Sequence, residues 1–321
     1  MKWGNIGDMV LEIKSNMKVM LALTYDCPCN CGHCGADMYK KNILPLTKNQ
    51  ITDILDQVSS LGVDFIYFFG GEPLLDNNIY EYISYAKSVK LRTMLDTNGV
   101  VLDKKMVLSL KQAGLDVIGI SLDSPLEETH DARRGVKGLY KNTLLNAAYC
   151  QKIGITVYFS TVVTKQNLRN GEFVLMTRLA ETMGIPLKVM SPIQCGKWSG
   201  RRENILSEED KYLLRKRLKK DKVYWERQDQ CNENCSFVCA FTEKMFMYIS
   251  AYGAVQPCCF FPVSFGNIKE EKIAVILDRM WHSKLFSGQF NLKEDCPVNS
   301  QQIRDFYGLD ELKEYPKMAN V

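Results

Sequence analysis

The sequence predicts an α/β fold: an open, partial (β/α)6 barrel followed by a small cysteine-rich lobe. Three observations carry this. Short apolar runs alternate with amphipathic stretches six times between residues 17 and 198, the pattern of parallel strands joined by right-handed helical crossovers. Several of the amphipathic stretches stop at a glycine, as helices do. The segments richest in Cys, Gly and Asn follow the apolar runs, where a parallel sheet gathers its site.

The elements read as follows. Lys18–Tyr25 is a strand, and Thr47–Leu61 a helix with Thr47 as its N-cap. Asp64–Phe69 is an aromatic strand followed by the helix Asn78–Ser88. Leu91–Asp96 is a strand ending in Thr97-Asn98-Gly99, and Asp103–Ala113 is a helix closed by Gly114. Val117–Leu122 is a strand, and Gly138–Lys152 a helix stopped by Gly154. Ile155–Val163 is a strand, Gly171–Met183 a helix stopped by Gly184, and Leu187–Met190 the sixth strand. Ser207–Lys222 is rich in Lys and Arg and reads as an exposed connecting helix. The expected divisions are an N-terminal extension 1–16, the barrel 17–198, a helical connector 199–230, the cysteine-rich lobe 231–300 and a polar tail 301–321 with one short helix.

Composition narrows the class. With 46% hydrophobic and 24% charged residues, 321 residues suffice for a sizeable core. A net charge of +4 gives no particular support for a nucleic-acid partner. No run approaches the roughly 18 apolar residues that span a membrane, and residues 1–16 do not read as a signal peptide. A cytoplasmic, reducing setting is therefore expected. In it, 12 cysteines indicate metal or catalysis rather than a disulfide framework. They cluster: four in 27–34, five in 231–259 and one at 296, with Cys150 and Cys195 apart.

The first cluster is Cys27-Pro-Cys-Asn-Cys31-Gly-His-Cys34. Cys27, Cys31 and Cys34 have the spacing C-x3-C-x2-C, which lets three thiolates hold three irons of a cubane [4Fe–4S] cluster and leaves the fourth iron open. Cys29 as a fourth thiolate in a closed zinc site is the alternative. After the second strand comes Gly70-Gly71-Glu72-Pro73, where two glycines permit a close backbone approach to a ligand.

Cysteines at this spacing after a first strand, followed by this tetrapeptide after the second, resemble the radical S-adenosylmethionine (SAM) enzymes. The resemblance implies that SAM chelates the open iron and is reductively cleaved to a 5′-deoxyadenosyl radical, which abstracts a hydrogen atom from substrate. It places Gly70, Gly71, Glu72 and Pro73 at the SAM amino group, with the Glu72 carboxylate as its acceptor. Asn98 lies in the loop after the third strand. Ser121 or Asp123 falls near the ribose, Arg134 near the SAM carboxylate with Arg133 as an alternative, and Thr161 on the fifth strand toward the cofactor. His33 departs from the aromatic residue usual before the last cysteine. An electron donor such as flavodoxin or ferredoxin is implied as partner.

The second group runs Cys231-x3-Cys235-x3-Cys239, Gly253-x4-Cys258-Cys259, Gly266-Asn267-Ile268 and Cys296. The stretch C-x13-G-x4-C, the hairpin turning at Gly253 and a following helix with Trp281 resemble the auxiliary-cluster extension called SPASM, or its shorter form, twitch. The later cysteines of a full extension are missing, so one auxiliary [4Fe–4S] cluster is implied. Its ligands would be Cys239, Cys258, Cys296 and Cys235, with Cys231 in place of Cys235 as an alternative and a zinc ribbon as the other reading of the lobe. Cys259 follows a ligand position in a lobe expected to cover the barrel mouth. Its S–H is weak enough to give a hydrogen atom to a carbon radical, which suits epimerisation; an inert buried thiol is the plain alternative. Relatives of this kind modify ribosomally made peptides by crosslinking or epimerisation, and that is the first expectation for the substrate. A small-molecule dehydrogenase or epimerase is the second. The stretch before the first strand is too short for a separate leader-binding domain.

Overall fold

The computed structural model describes residues 17–219, 222–225, 239–291, 296–312 and 314–319. Six parallel strands form its centre: β1 (Lys18–Thr24), β2 (Phe65–Gly70), β3 (Arg92–Thr97), β4 (Val117–Ser121), β5 (Thr156–Val162) and β6 (Leu187–Met190). Each pairs in order with the next, as the six-fold alternation predicts. Their apolar side chains, among them Val19, Leu21, Phe68, Leu95, Ile118, Ile120, Phe159 and Leu187, are fully buried.

The helices begin and end for the local reasons visible in the sequence. Thr47 caps Lys48–Ser60 with a complete capping box, its hydroxyl on the Gln50 N–H and the Gln50 side chain on the Thr47 N–H. Asp103 caps Lys104–Ala113 through the Met106 N–H, and Gly114 closes it at φ 98°. Gly184 closes Glu172–Met183 in the same left-handed way.

Two features go beyond the six-unit reading. Among the described residues, the charged stretch after Ser207 is helical over Glu208–Arg215. The chain then turns back, and β7 (Val223–Trp225) adds to the edge of β6. Val223 and Trp225 supply the apolar face that makes this a strand rather than more helix; both are buried.

The C-terminal lobe is not a separate layer. Its hairpin, β8 (Phe246–Ile249) and β9 (Ala254–Gln256), turns near Gly253 as expected, and β8 pairs in parallel with β1. With β10 (Val263–Ser264) leading into β11 (Gly266–Asn267), the order of the main sheet is β11-β9-β8-β1-β2-β3-β4-β5-β6-β7. A short β12 (Lys317–Met318) pairs with β10. Helix Ile273–Trp281 buries Ile273, Ile276, Leu277 and Met280 under the lobe. The tail helix Gln301–Tyr307 is pinned by Arg304, fully buried, which donates to the Gln194 and Val298 carbonyls at 2.9 Å each. This fixes the loop after β6 against the lobe.

Candidate active site

The carboxyl ends of the strands open into one cavity of about 1200 Å³, part of it continuous with solvent. Cys27, Cys31 and Cys34 stand on its wall; Cys29 does not. The cavity also meets Gly70, Gly71, Asn98, Ser121, Ser160, Arg134, Cys195 and Cys259. The N-terminal cysteines, the loops after β2 and β3, and the C-terminal lobe therefore share one chamber.

Local chemistry separates Cys29 from its neighbours. The Cys29 thiol bonds to both Cys27 and Cys31, and these bonds with burial drive its pKa upward. Cys27 is lowered to about 6 by that bond, helped by the Asn98 amide, which donates to its sulfur at 3.3 Å. Cys31 is lowered to about 7 by Cys29 and by the Arg134 guanidinium, 3.6 Å from its sulfur. Cys34 is raised by burial. Among the described residues no group of three or more His, Cys, Asp or Glu closes around a single metal ion.

The tetrapeptide has a structural role beside the one expected from sequence. Gly70 has φ 146°, and a Cβ there would lie 2.1 Å from the Thr24 carbonyl oxygen. A Cβ on Gly71 would lie 2.4 Å from the Asp26 oxygen. The glycines are required by the end of β1, which accepts the Gly71 and Glu72 N–H groups at 2.7 and 2.8 Å through Thr24 and Asp26. The same approach leaves both glycines on the cavity wall.

Glu72 is fully buried and is not on that wall. It accepts the Thr97 hydroxyl at 2.8 Å, the Asn98 N–H at 2.8 Å and the Leu74 N–H at 3.1 Å. Burial raises its pKa to about 7 against the pull of these donors. Pro73 is buried in the short turn that follows. Glu72 thus fixes the loop that brings the Asn98 amide to Cys27.

The two arginines are placed differently. Arg134 is on the cavity wall and pairs through Nε with Asp123 at 2.6 Å. Burial would raise Asp123, but Arg134, aided by His33, holds it down at about 2. Arg133 is engaged elsewhere, with Glu172 at 2.6 Å and the Asp123 carbonyl at 2.5 Å. Asp123 does not itself face this cavity; it lies behind Arg134, where its N–H donates to the His130 ring at 3.1 Å. Thr161 is buried on the other face of β5, and its neighbours Ser160 and Val162 face the cavity instead. Alternation along a strand sets this.

In the C-terminal lobe, Cys239 and Cys258 are half-buried and Cys296 is buried. Cys235 and Cys231 lie outside the described residues. Cys259 is 6% exposed, and that exposure opens on the cavity. It stands beside three buried phenols: Tyr25 and Tyr39, stacked at 5.4 Å, and Tyr248, whose hydroxyl is 2.5 Å from that of Tyr25.

One part of the site escaped the sequence reading. Across β2, β3, β5 and β6 the cavity floor is an ionic layer. Lys188 Nζ donates to Asp96 at 3.1 Å and to the Tyr67 and Tyr158 hydroxyls at 3.2 Å each. Both phenols donate to Asp96 in turn. The layer fits because β4 presents Gly119, where a Cβ would fall 1.8 Å from Asp96 Oδ1. The charged residues on β3 and β6 were the available signal, but only the register shows that they meet.

Comparison with known proteins agrees with the geometry. Residues 21–175 match the Radical SAM superfamily model and residues 239–301 match SPASM, described as an iron-sulfur cluster-binding domain. The chain is 26% identical over 303 residues to the AdoMet-dependent heme synthase of Methanosarcina barkeri, covering 86% of each chain. It is 25% identical over 309 residues to the PqqA peptide cyclase of Gluconobacter oxydans, covering 91% of this chain and 85% of that protein. Its fold resembles that of Streptococcus suis SuiB bound to precursor peptide SuiA, with a TM-score of 0.65 and 17% identity over 95% of this chain and 75% of SuiB. With both domain models matched and the three cysteines and paired glycines on one cavity wall, the chain belongs to the radical SAM superfamily and carries a C-terminal SPASM domain.

Proposed function

We propose that this enzyme modifies a ribosomally made peptide by abstracting a hydrogen atom, with the Cys259 thiol returning one to the substrate radical, so that the outcome is epimerisation. As a radical SAM enzyme of the SPASM type, it uses SAM, a [4Fe–4S] cluster and an auxiliary iron–sulfur cluster; when bound, these supply the one-electron reduction and the primary radical. The chain's own groups do the rest. Cys27, Cys31 and Cys34 hold the first cluster, and Cys239, Cys258, Cys296 and Cys235 the second. Gly70, Gly71, Asn98, Ser121 and Arg134 line the space for SAM. Met20, Phe69 and Met190 give the cavity an apolar wall that keeps water from a carbon radical.

The observation that carries the reading is the place of Cys259, on the wall of the chamber that holds the three N-terminal cysteines. A group that must hand a hydrogen atom to the radical's other face has to stand there. The PqqA peptide cyclase relative, matched over most of its length, supports a peptide as substrate. A small-molecule substrate is the second reading, favoured by the heme synthase relative and by the ionic floor, which suits a compact polar ligand.

The test is co-expression in D2O with candidate short peptides, taken first from the genes beside this one. A thiol exchanges its hydrogen with solvent, so the modified residue should carry one deuterium and have D configuration. The Cys259→Ala variant should still release 5′-deoxyadenosine and give no deuterated product. A product that has lost two hydrogens would show crosslinking or oxidation and remove the donor role of Cys259.

A further inference from the structure

The ionic layer under the chamber does more than tie four strands together. We propose that it is a substrate subsite for a neutral hydrogen-bond donor, a hydroxyl or an amide N–H, and that it turns away both carboxylates and amines. This rests on the chamber being where substrate meets the radical, as given above, and on neither the peptide nor the donor role of Cys259.

The layer faces the reaction space. Tyr67, Asp96 and Lys188 stand on the wall of the cavity that also meets Cys27, Cys31 and Cys34. Asp96, Gly119 and Tyr158 are register partners across β3, β4 and β5, and Ser121 and Ser160 are partners two residues further along. Alternation keeps the two rows on one face, so the ionic row lies one step below the strand ends. The Asp96 side chain is 15% exposed and that of Lys188 9%. A group reaching down from the strand ends therefore meets more carboxylate than ammonium.

The hydrogen bonds within the layer leave one kind of capacity over. The Lys188 ammonium has three N–H groups, and all are used: on Asp96 at 3.1 Å and on the Tyr67 and Tyr158 oxygens at 3.2 Å each. Each phenol has one O–H, and both are given to Asp96. Among the described residues, the layer has no donor left for a ligand. A carboxylate has four acceptor positions, and the two phenols and Lys188 take three of those on Asp96. The fourth can receive a donor.

Charge sets the second limit. Lys188 and Asp96 form an ion pair, so the layer is neutral as a whole. A carboxylate placed there would face the Asp96 charge with no donor to receive it. An ammonium would reach Asp96 but would share it with Lys188, whose charge also lies over the Tyr158 ring at 4.7 Å. A hydroxyl or amide N–H meets the open acceptor without adding a charge to a buried layer. Met20, Phe69 and Met190 on the same wall suit the carbon chain that carries it.

The experiment needs no natural substrate. The anaerobic, reduced holoenzyme is incubated with SAM and, in separate reactions at equal concentration, with 1-butanol, butylammonium or butyrate, each deuterated at the third carbon. A probe seated in the chamber gives a deuterium atom to the radical derived from SAM, and mass spectrometry reads it in 5′-deoxyadenosine. Butanol should label about tenfold more than either ion, the discrimination that one well-made hydrogen bond supplies in a buried site. Lys188→Met leaves the Asp96 charge unpaired and should move the preference to butylammonium. Asp96→Asn leaves the Lys188 charge and should move it to butyrate. Release of 5′-deoxyadenosine without a probe shows that a variant is intact, and the wild-type order stands as the test where it is not. A preference for either ion in wild type, equal labelling by all three, or no label from any would overturn the subsite. So would an intact variant that keeps the wild-type order. The peptide and the role of Cys259 are read from the co-expressed product, so either reading can fail while the other stands.

Discussion

The Glu72 carboxylate accepts the backbone N–H of Asn98 at 2.8 Å, and the side chain of that same Asn98 donates to the Cys27 sulfur at 3.3 Å. A buried acid one strand away thereby sets the environment of the Cys27 sulfur.

Ionisation of Glu72 should leave a mark on stability. Its pKa rises from 4.5 to about 7 on folding, chiefly through burial. Between those values the folded chain binds the extra proton, so stability falls as pH rises from about 4.5 and levels off above about 7, a change on the order of 3 kcal/mol. Thermal denaturation of the metal-free chain across this range should show the decline, and Glu72→Gln should flatten it. A decline that persists in the variant would assign it to another group.

The cluster site should distinguish its four cysteines. Replacing Cys27, Cys31 or Cys34 by Ala should cost about four irons per chain, because each would leave an incomplete ligand set. Cys29→Ala should retain them. Iron determination and electron paramagnetic resonance after anaerobic reconstitution decide the matter; loss of iron in Cys29→Ala would put Cys29 among the ligands.

The two adjacent arginines should behave differently. Arg134→Gln should weaken SAM binding by roughly ten- to a hundredfold, about 1.4–2.8 kcal/mol. Arg133→Gln, which opens the contact to Glu172, should leave SAM affinity within about twofold and lower stability by about 1 kcal/mol. Equilibrium binding of SAM to the reconstituted protein measures both, and equal losses would contradict this division.

Register on β5 gives a paired test. Ser160→Ala should change SAM or substrate affinity, since Ser160 is on the cavity wall. Thr161→Ala should act on stability alone, since its side chain is buried on the opposite face. A selective effect of Thr161→Ala on affinity would mean the strand faces are reversed.

The ionic floor should depend on a missing side chain. Gly119→Ala forces a carbon against Asp96 and the Tyr158 ring, and overpacking of this kind costs about 2–3 kcal/mol. A lowered melting temperature with normal SAM affinity is expected; an unchanged one would show that the layer opens without cost.

Much of this was legible in the residues. Strands and caps followed from local patterns such as Thr47 with Gln50, and the gathering of Cys27, Cys31 and Cys34 at one wall from their spacing, because both depend on neighbours in sequence. The strand β7 was hidden in a charged stretch, since two buried residues, Val223 and Trp225, outweigh the lysines around them. Gly70 and Gly71 were read as allowing ligand approach; that the end of β1 also crowds them needed the fold, because Thr24 and Asp26 lie more than forty residues away in sequence. Thr161 was named for the cofactor side of β5, but composition does not fix which face of a strand looks inward, and it is Ser160 and Val162 that face the cavity. The Lys188–Asp96 layer needed four strands in register, which no single segment reveals.

The pairing of β8 with β1 joins residues more than two hundred positions apart, from Lys18 to Phe246. During synthesis β1 emerges more than two hundred residues ahead of β8, and one of its edges stays open until β8 follows. The barrel therefore cannot be completed as an N-terminal unit. A chain truncated after β7 should carry an uncovered strand edge and be prone to self-association, and folding in the cell should depend on how that edge is guarded while it waits.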